Sequence, residues 1–298
     1  MDLKTTRNRI QVFLLLLPGI LMFSIFTVYP IIKLFVMSFY RWELGSFHKQ
    51  EFIWFQNYSA VLSDEVFRIS FINTLLYTII TVPGQMILGL LAAVLINSLP
   101  RFQIPFRVIY YLPVITPWVI ASLVFKYIFN TEGMLNYILY EVLHLTNRNI
   151  AWLDSRWSGM FVTEILGIWK GVGWNMVVFL AALKSVPMEL YEVADLDGCG
   201  SIKKFLYVTL PCIKNTILFA MVMLTIGGFN VFTSIKLITD GKPLHRTETV
   251  LTWMYYKAFR SGKFGYAAAL SFIVVVTLIL LAALQFRIMK NRNEEGFI

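Results

Sequence analysis

Long apolar blocks alternate with short polar connections along the whole chain. Uncharged blocks occupy residues 10–29, 70–100, 108–125, 216–235 and 264–286, and a further block at 158–183 is apolar apart from Glu164 and Lys170. A hydrocarbon core about 30 Å thick takes roughly 20 apolar residues at 1.5 Å per residue, so blocks of this size suit membrane crossing. None has the two-residue alternation of a barrel strand, and backbone in lipid must satisfy its own hydrogen bonds. The pattern predicts an all-α membrane protein with six transmembrane helices. They fall at about 10–40, 70–100, 105–129, 158–183, 215–237 and 264–287, with a polar connection at 184–214. No long linker or second soluble domain interrupts the series, so 1–298 reads as a single transmembrane domain. The first block is longer than a signal-peptide core of roughly 7–15 residues, and Tyr29-Pro30-Ile31-Ile32 follows it instead of a small-residue cleavage site; it reads as a retained anchor.

Composition agrees. Of 298 residues, 58% are hydrophobic and 14% charged, against about 25% charged in a soluble domain. The net charge of +9 does not point to nucleic acid, because the basic residues sit in short segments between apolar blocks, where headgroups are the nearer partner. An even number of spans puts both termini on one side, and lysine and arginine should mark the cytoplasmic side. The basic residues divide nearly evenly between the two sides. Those at Lys4, Arg7, Arg9, Arg101, Arg107, Lys184, Lys203, Lys204, Lys214, Arg287, Lys290 and Arg292 lie in the shorter segments, crowded against helix ends. Both termini are therefore expected in the cytoplasm of a multi-pass cell-membrane protein, although Lys236, Lys242, Arg246, Lys257, Arg260 and Lys263 dissent. Cys199 and Cys212 share one connection, and His48, His144 and His245 are scattered, so neither a disulfide framework nor a metal site is expected. The first outer connection is rich in aromatics (Trp42, Phe47, Phe52, Trp54, Phe55 and Tyr58), suited to the headgroup level or to a packed lid.

The connection at 184–214 carries the most information. Pro187 suits a first helical turn, Glu189 favours the positive helix end, and Gly198 is a natural stop able to turn left-handed. A second short helix can begin with Ser201 as its N-cap, and Pro211 resets the chain before the fifth span. Leu190, Tyr191, Val193, Ala194 and Leu196 make the first helix apolar enough to need a surface, which the membrane interface, its own bundle or a partner could supply.

Glu192-Val193-Ala194, Asp197-Gly198, Phe205 and Leu210-Pro211 together resemble the EAA loop of binding-protein-dependent ABC import permeases, with Val193 and Cys199 standing where alanine is usual. Leu17-Pro18-Gly19 through Tyr29-Pro30, Ile168-Trp169-Lys170-Gly171 with Phe179-Leu180-Ala181-Ala182-Leu183, and Phe264-Gly265-Tyr266 are similar to segments of carbohydrate-uptake permeases. So is Ile238-Thr239-Asp240-Gly241-Lys242-Pro243, where Asp240 and Lys242 replace what is more often glycine. The resemblance is to the maltose-type first permease of a two-permease transporter, a type I ABC importer permease. It implies a second permease subunit, a pair of cytoplasmic ATPase subunits, an extracytoplasmic solute-binding protein, and a coupling role for Glu192, Val193, Ala194, Asp197, Gly198, Leu210 and Pro211. It further implies that ATP and magnesium belong to the ATPase, with no cofactor in this chain.

The sequence has no motor of its own. Gly241-Lys242 and Gly262-Lys263 are followed by Pro243 and Phe264, without the hydroxyl of a phosphate-binding loop, and no nucleophile elbow or zinc spacing occurs. The chain reads as a non-enzymatic transport subunit. Charges inside a span usually face a bundle or cavity. Glu164 and Lys170, six apart, fall on nearly opposite helix faces, so Lys170 is expected to pair with a neighbouring helix and Glu164 to meet headgroup water or the solute path. Sugars are recognised by hydrogen bonds and by aromatic faces, which makes Asn175, Asn230, Thr233 and Ser234, with Trp169, Trp174 and Phe229, candidates for that path. The same polar residues can bond helices together, with Gly167, Gly171, Gly227 and Gly228 allowing close approach. An ion-gradient-driven transporter is the rival reading; it would normally show internal repeats and more buried ionisable groups than these two.

Overall fold

A computed structural model describes residues 3–43 and 51–294. Phe47 and His48 lie outside the described residues, as do the side chains of Lys4, Arg7, Arg9, Lys290 and Arg292. In chain order the helices are α1 (Leu3–Phe23), α2 (Tyr29–Met37), α3 (Gln56–Ser63), α4 (Glu65–Ser98), α5 (Gln103–Ile115), α6 (Trp118–Ile128) and α7 (Met134–Asn136). There follow α8 (Arg156–Lys184), α9 (Met188–Leu196), α10 (Ser201–Lys204), α11 (Leu210–Cys212), α12 (Lys214–Phe229), α13 (Thr233–Ile238), α14 (Val250–Tyr255) and α15 (Phe264–Glu294). Five stretches are long and apolar enough to cross a membrane: Gln11–Met37, Glu65–Ser98, Arg156–Lys184, Lys214–Ile238 and Phe264–Met289. The bent pair α5–α6 makes the sixth.

Two of these spans differ from the continuous helices that apolar content predicts. The third bends by 90° between Ile115 and Trp118. Pro117 has no N–H for the carbonyl of Pro113 and forces Thr116 into extended backbone, so the α-helix stops there. The fifth breaks between α12 and α13, where Asn230 caps the first segment and Phe232 leaves helical geometry.

The chain divides into two compact units. The first comprises residues 1–64 and 254–273. Here strands β1 (Tyr40–Arg41) and β2 (Glu51–Phe52) pair antiparallel, with Tyr40 opposite Phe52, and Arg41 bonded to Glu51 at 3.0 Å. Buried Asn57 donates to the carbonyls of Ser38 and Tyr40, and the ring of Phe39 meets those of Phe35, Phe55 and Tyr58 edge-on or tilted. Lys257 and the hydroxyl of Tyr266 both reach the carboxylate of Asp64. The aromatics of the first connection thus form a partly packed cap, although Trp54 and Phe55 keep exposed faces.

The second unit, 65–253 with 274–298, is built on α8. This helix packs along α4 and also meets α5, α6, α12 and α13. Met176, Phe179, Leu180 and Leu183 of α8 bury themselves against Ala92, Ala93 and Ile96 of α4 and Ala220 of α12. Asn73, fully buried on α4, ties in the distant segment before α14: its amide donates to the carbonyls of Arg246 (2.8 Å) and Glu248 (2.7 Å), while its oxygen accepts from Arg156 Nε (2.9 Å). Asn73→Ala would strip partners from three groups. A buried polar atom left unsatisfied costs about 1–3 kcal/mol, so a destabilisation of roughly 2–4 kcal/mol is expected. Thermal unfolding of the detergent-solubilised protein tests this, and an unchanged midpoint would deny Asn73 its clamping role.

Candidate functional site

A cavity of about 450 Å3 opens within the second unit. From α4 it is walled by Tyr77, Thr81 and Gln85; from α8 by Gly167, Lys170 and Gly171; from the bend in the third span by Val114 and Trp118. The interrupted fifth span supplies Leu224, Gly227, Gly228 and the stretch 230–234. Both breaks in helical structure border this one cavity. Non-helical backbone at membrane depth persists where protein buries it or where it lines a cavity.

The lining mixes apolar groups with hydroxyls and amides, and Lys170 is its one charged side chain. Thr81 donates its proton to the carbonyl of Tyr77 on its own helix, leaving its oxygen as an acceptor. The Ser234 hydroxyl is buried close to that of Tyr77 and completes no hydrogen bond of normal geometry. Lys170 lies in the wall and is 5% exposed: its Nζ donates to the carbonyls of Pro113 (2.8 Å) and Thr116 (2.6 Å) and sits 4.8 Å from the Trp118 ring centre. Its neighbouring-helix partner is therefore a pair of backbone carbonyls, not a carboxylate.

The sequence-derived path residues separate by environment. Asn230 and Thr233 line the cavity, as does Ser234. Asn175 is fully buried, donates back to Gly171 O at 2.9 Å, and presses its Cβ against Gly89 of α4. Trp174 is partly buried against the α4–α8 core, and Phe229 is buried with its ring edge toward Phe71. Glu164 is 7% exposed and stands outside the cavity lining. Gln85, Tyr77 and Trp118 were not singled out by sequence. The one legible signal was a glutamine inside an apolar run, directly after Pro83-Gly84.

The second feature lies beyond the end of α8. Pro187 is the N-cap of α9, one residue earlier than a first-turn position, and Gly200, not Ser201, precedes α10. Between them Gly198 takes φ +70°. Its N–H bonds Asp195 O (3.0 Å), and that of Cys199 bonds Ala194 O (2.9 Å), the paired closure of a left-handed C-cap. An ion pair from Asp195 to Lys204 joins the two helices, and a hydrogen bond between the Tyr191 and Thr209 hydroxyls (2.9 Å) ties α9 to the helical turn that follows α10. Ala194 is buried and Leu210 packs toward the α8 core, whereas Glu192, Val193, Asp197, Gly198 and Pro211 are exposed. Met188, Leu190, Val193, Leu196 and Ile202 add exposed apolar area to the same helix pair.

Apolar spans, two of them broken around one cavity with hydroxyl and amide groups in its wall, with a locked helix pair following α8, define a membrane transport permease. Residues 85–292 match the family described as binding-protein-dependent transport system inner membrane component, and the chain belongs to that family. It is a permease subunit of an ABC importer, a transport component and not an enzyme. It is 34% identical to the probable ABC transporter permease protein YurN of Bacillus subtilis, over 97% of this chain and 99% of that one. The arabinooligosaccharides permease AraP of Halalkalibacterium halodurans is 33% identical over 93% and 87% of the two chains, and the lactose permease LacF of Rhizobium radiobacter is 32% identical over 93% of each. The fold is also that of a chain in a bacterial ABC transporter that imports alginate, at a TM-score of 0.82 and 24% identity, covering 97% and 98% of the two chains.

Proposed function

We propose that this subunit carries a sugar or small oligosaccharide inward, sharing the translocation path with a second permease subunit. A binding protein delivers the solute from outside, and a pair of ATPase subunits, holding ATP and magnesium, drives the cycle from the cytoplasm. The α9–α10 pair docks on that ATPase, with both termini on the same side. Closure of the ATPase dimer moves α9–α10, and the spans rock so that the cavity opens alternately to each side.

The observation that carries the sugar reading is the cavity: hydroxyl and amide groups from Asn230, Thr233 and Ser234 share its wall with the Trp118 ring, and the wall's cation is bonded to two carbonyls. Such a lining suits polyhydroxylated solutes, which bind through hydrogen bonds and ring stacking. Relatives named for arabinooligosaccharides, lactose and sulfoquinovosyl glycerol support the class. The exposed apolar side chains of α9–α10 support docking, because an apolar patch rimmed by charge marks an interaction surface.

Uptake of labelled arabinotriose, lactose, maltose and glycerol 3-phosphate into cells with and without this chain tests the reading. At least one of the three sugars should depend on the chain and on ATP; uptake that follows an ion gradient and ignores ATP depletion would favour the rival transporter. Asn230→Ala should lower transport of that sugar about fivefold to tenfold, the worth of one hydrogen bond of roughly 1 kcal/mol or slightly more. Asn175→Ala, outside the cavity lining and bonded only to the backbone behind it, should leave the preference among sugars as it was.

A further inference from the structure

Lys170 is held in an unusual way. Pro117 cannot donate to the carbonyl of Pro113, and the bend leaves the Thr116 carbonyl outside both helices, so two acceptors at the end of α5 lack partners from their own segment. Lys170, on another helix, donates to both, and its ammonium also faces the Trp118 ring. A cation at a helix C-terminus is further favoured by the helix dipole. All of this lies against the cavity, because Val114 and Trp118 flank the bend and line the wall.

From Lys170, α8 runs unbroken for roughly 20 Å to Lys184. The chain then enters α9 within a few residues. A displacement of the α9–α10 pair along or across α8 would be felt at Lys170, and through it at the bend.

We propose that Lys170 is the positioning residue that transmits movement of α8 to the cavity wall by gripping the broken third span. Two of its three donors are engaged by the Pro113 and Thr116 carbonyls and the ammonium faces the Trp118 ring, so the role assigned to it is to hold the bend. The inference rests on the import reading above.

The test uses the assembled complex in membrane vesicles, with Cys199 and Cys212 replaced by serine. Single cysteines are placed at Val114, beside the bend, or at Leu224, on the opposite wall, and modified by a membrane-impermeant methanethiosulfonate reagent with and without ATP plus vanadate. With Lys170 present, both positions should change their modification rate. In Lys170→Met the response at Val114 should shrink about fivefold or more, the scale of an ordinary allosteric coupling, while Leu224 still responds; Lys170→Arg should restore most of it. The double variant Lys170→Met with Pro117→Ala returns an N–H to the Pro113 carbonyl, so it should insert well and still lack the Val114 response.

An undiminished Val114 response in Lys170→Met overturns the proposal. So does a restored response in the double variant, which would reduce Lys170 to a prop for the bend. If neither position responds even with Lys170 in place, the import reading fails and takes this inference with it.

Discussion

Replacing Gly198 with leucine should abolish coupled uptake, whereas replacing it with alanine should leave most of it. Gly198 ends α9 at φ +70°, and either substitution pays the same backbone cost of about 1–2 kcal/mol for an L-residue in left-handed geometry. An added Cβ meets no heavy atom within 4 Å, so alanine has room within this chain. The space around Gly198 is open in the subunit by itself. A large loss of uptake in leucine alone, at equal membrane level, is the signature expected of a partner that closes over the turn. If the turn seats in a cleft of an ATPase, the leucine side chain should cost roughly 3 kcal/mol of docking, about a hundredfold in affinity. The measurement is threefold: the amount of each variant in the membrane fraction, ATPase retained on purification, and sugar uptake. Equal membrane levels with uptake and ATPase retention lost only in Gly198→Leu is the expected pattern. A leucine variant that transports as well as the alanine variant would show that the turn faces open water.

The same turn shows what can be read from sequence. A glycine after an amphipathic stretch is a stop signal with a local cause, and the φ of Gly198 follows from it. Caps shift by a residue because Pro187 serves as well just outside the helix as inside its first turn. Spans are legible for a similar reason: an uncharged run of this length has few stable solutions other than a helix in lipid. Their interruptions are less so. Pro113 and Pro117 stand four apart in plain view, but whether such a span kinks slightly or turns by 90° depends on whether another helix supplies donors for the freed carbonyls. Here Lys170 does, from far along the chain. The cavity was legible only in part. Asn230 and Thr233 stand out as polar groups in an apolar run, whereas Tyr77, Gln85 and Trp118 depend on which face of α4 and α6 turns inward. Trp174 and Asn175 illustrate the converse, since one residue of rotation decides between core and path.

Gly173→Ala should be the most damaging single-methyl change in the chain. The carbonyl oxygen of Tyr110, on α5, already stands well inside van der Waals reach of where a Cβ on Gly173 would be, and the Val114 side chain closes the same spot at 2.9 Å. A flexible side chain could swing away, but a backbone carbonyl cannot, so α5 as a whole must move off α8. That movement would open the packing between these helices and pull the Pro113 and Thr116 carbonyls from Lys170, which sits one turn earlier on the same helix. Overpacking alone costs about 1–3 kcal/mol, and lost hydrogen bonds to a buried charge add roughly 1.5–3 kcal/mol each. Total destabilisation should therefore exceed about 4 kcal/mol, enough to remove most folded protein from the membrane. Gly227→Ala is the control: no heavy atom lies within 4 Å of the added Cβ, so its effect on folding should be confined to helix propensity. Folded yield and thermal midpoint of the two variants, measured side by side, separate close helix contact from the mere presence of glycine. A Gly173→Ala protein as stable as Gly227→Ala would mean that α5 and α8 do not approach as closely as this geometry requires, and the grip of Lys170 on the bend would lose its basis.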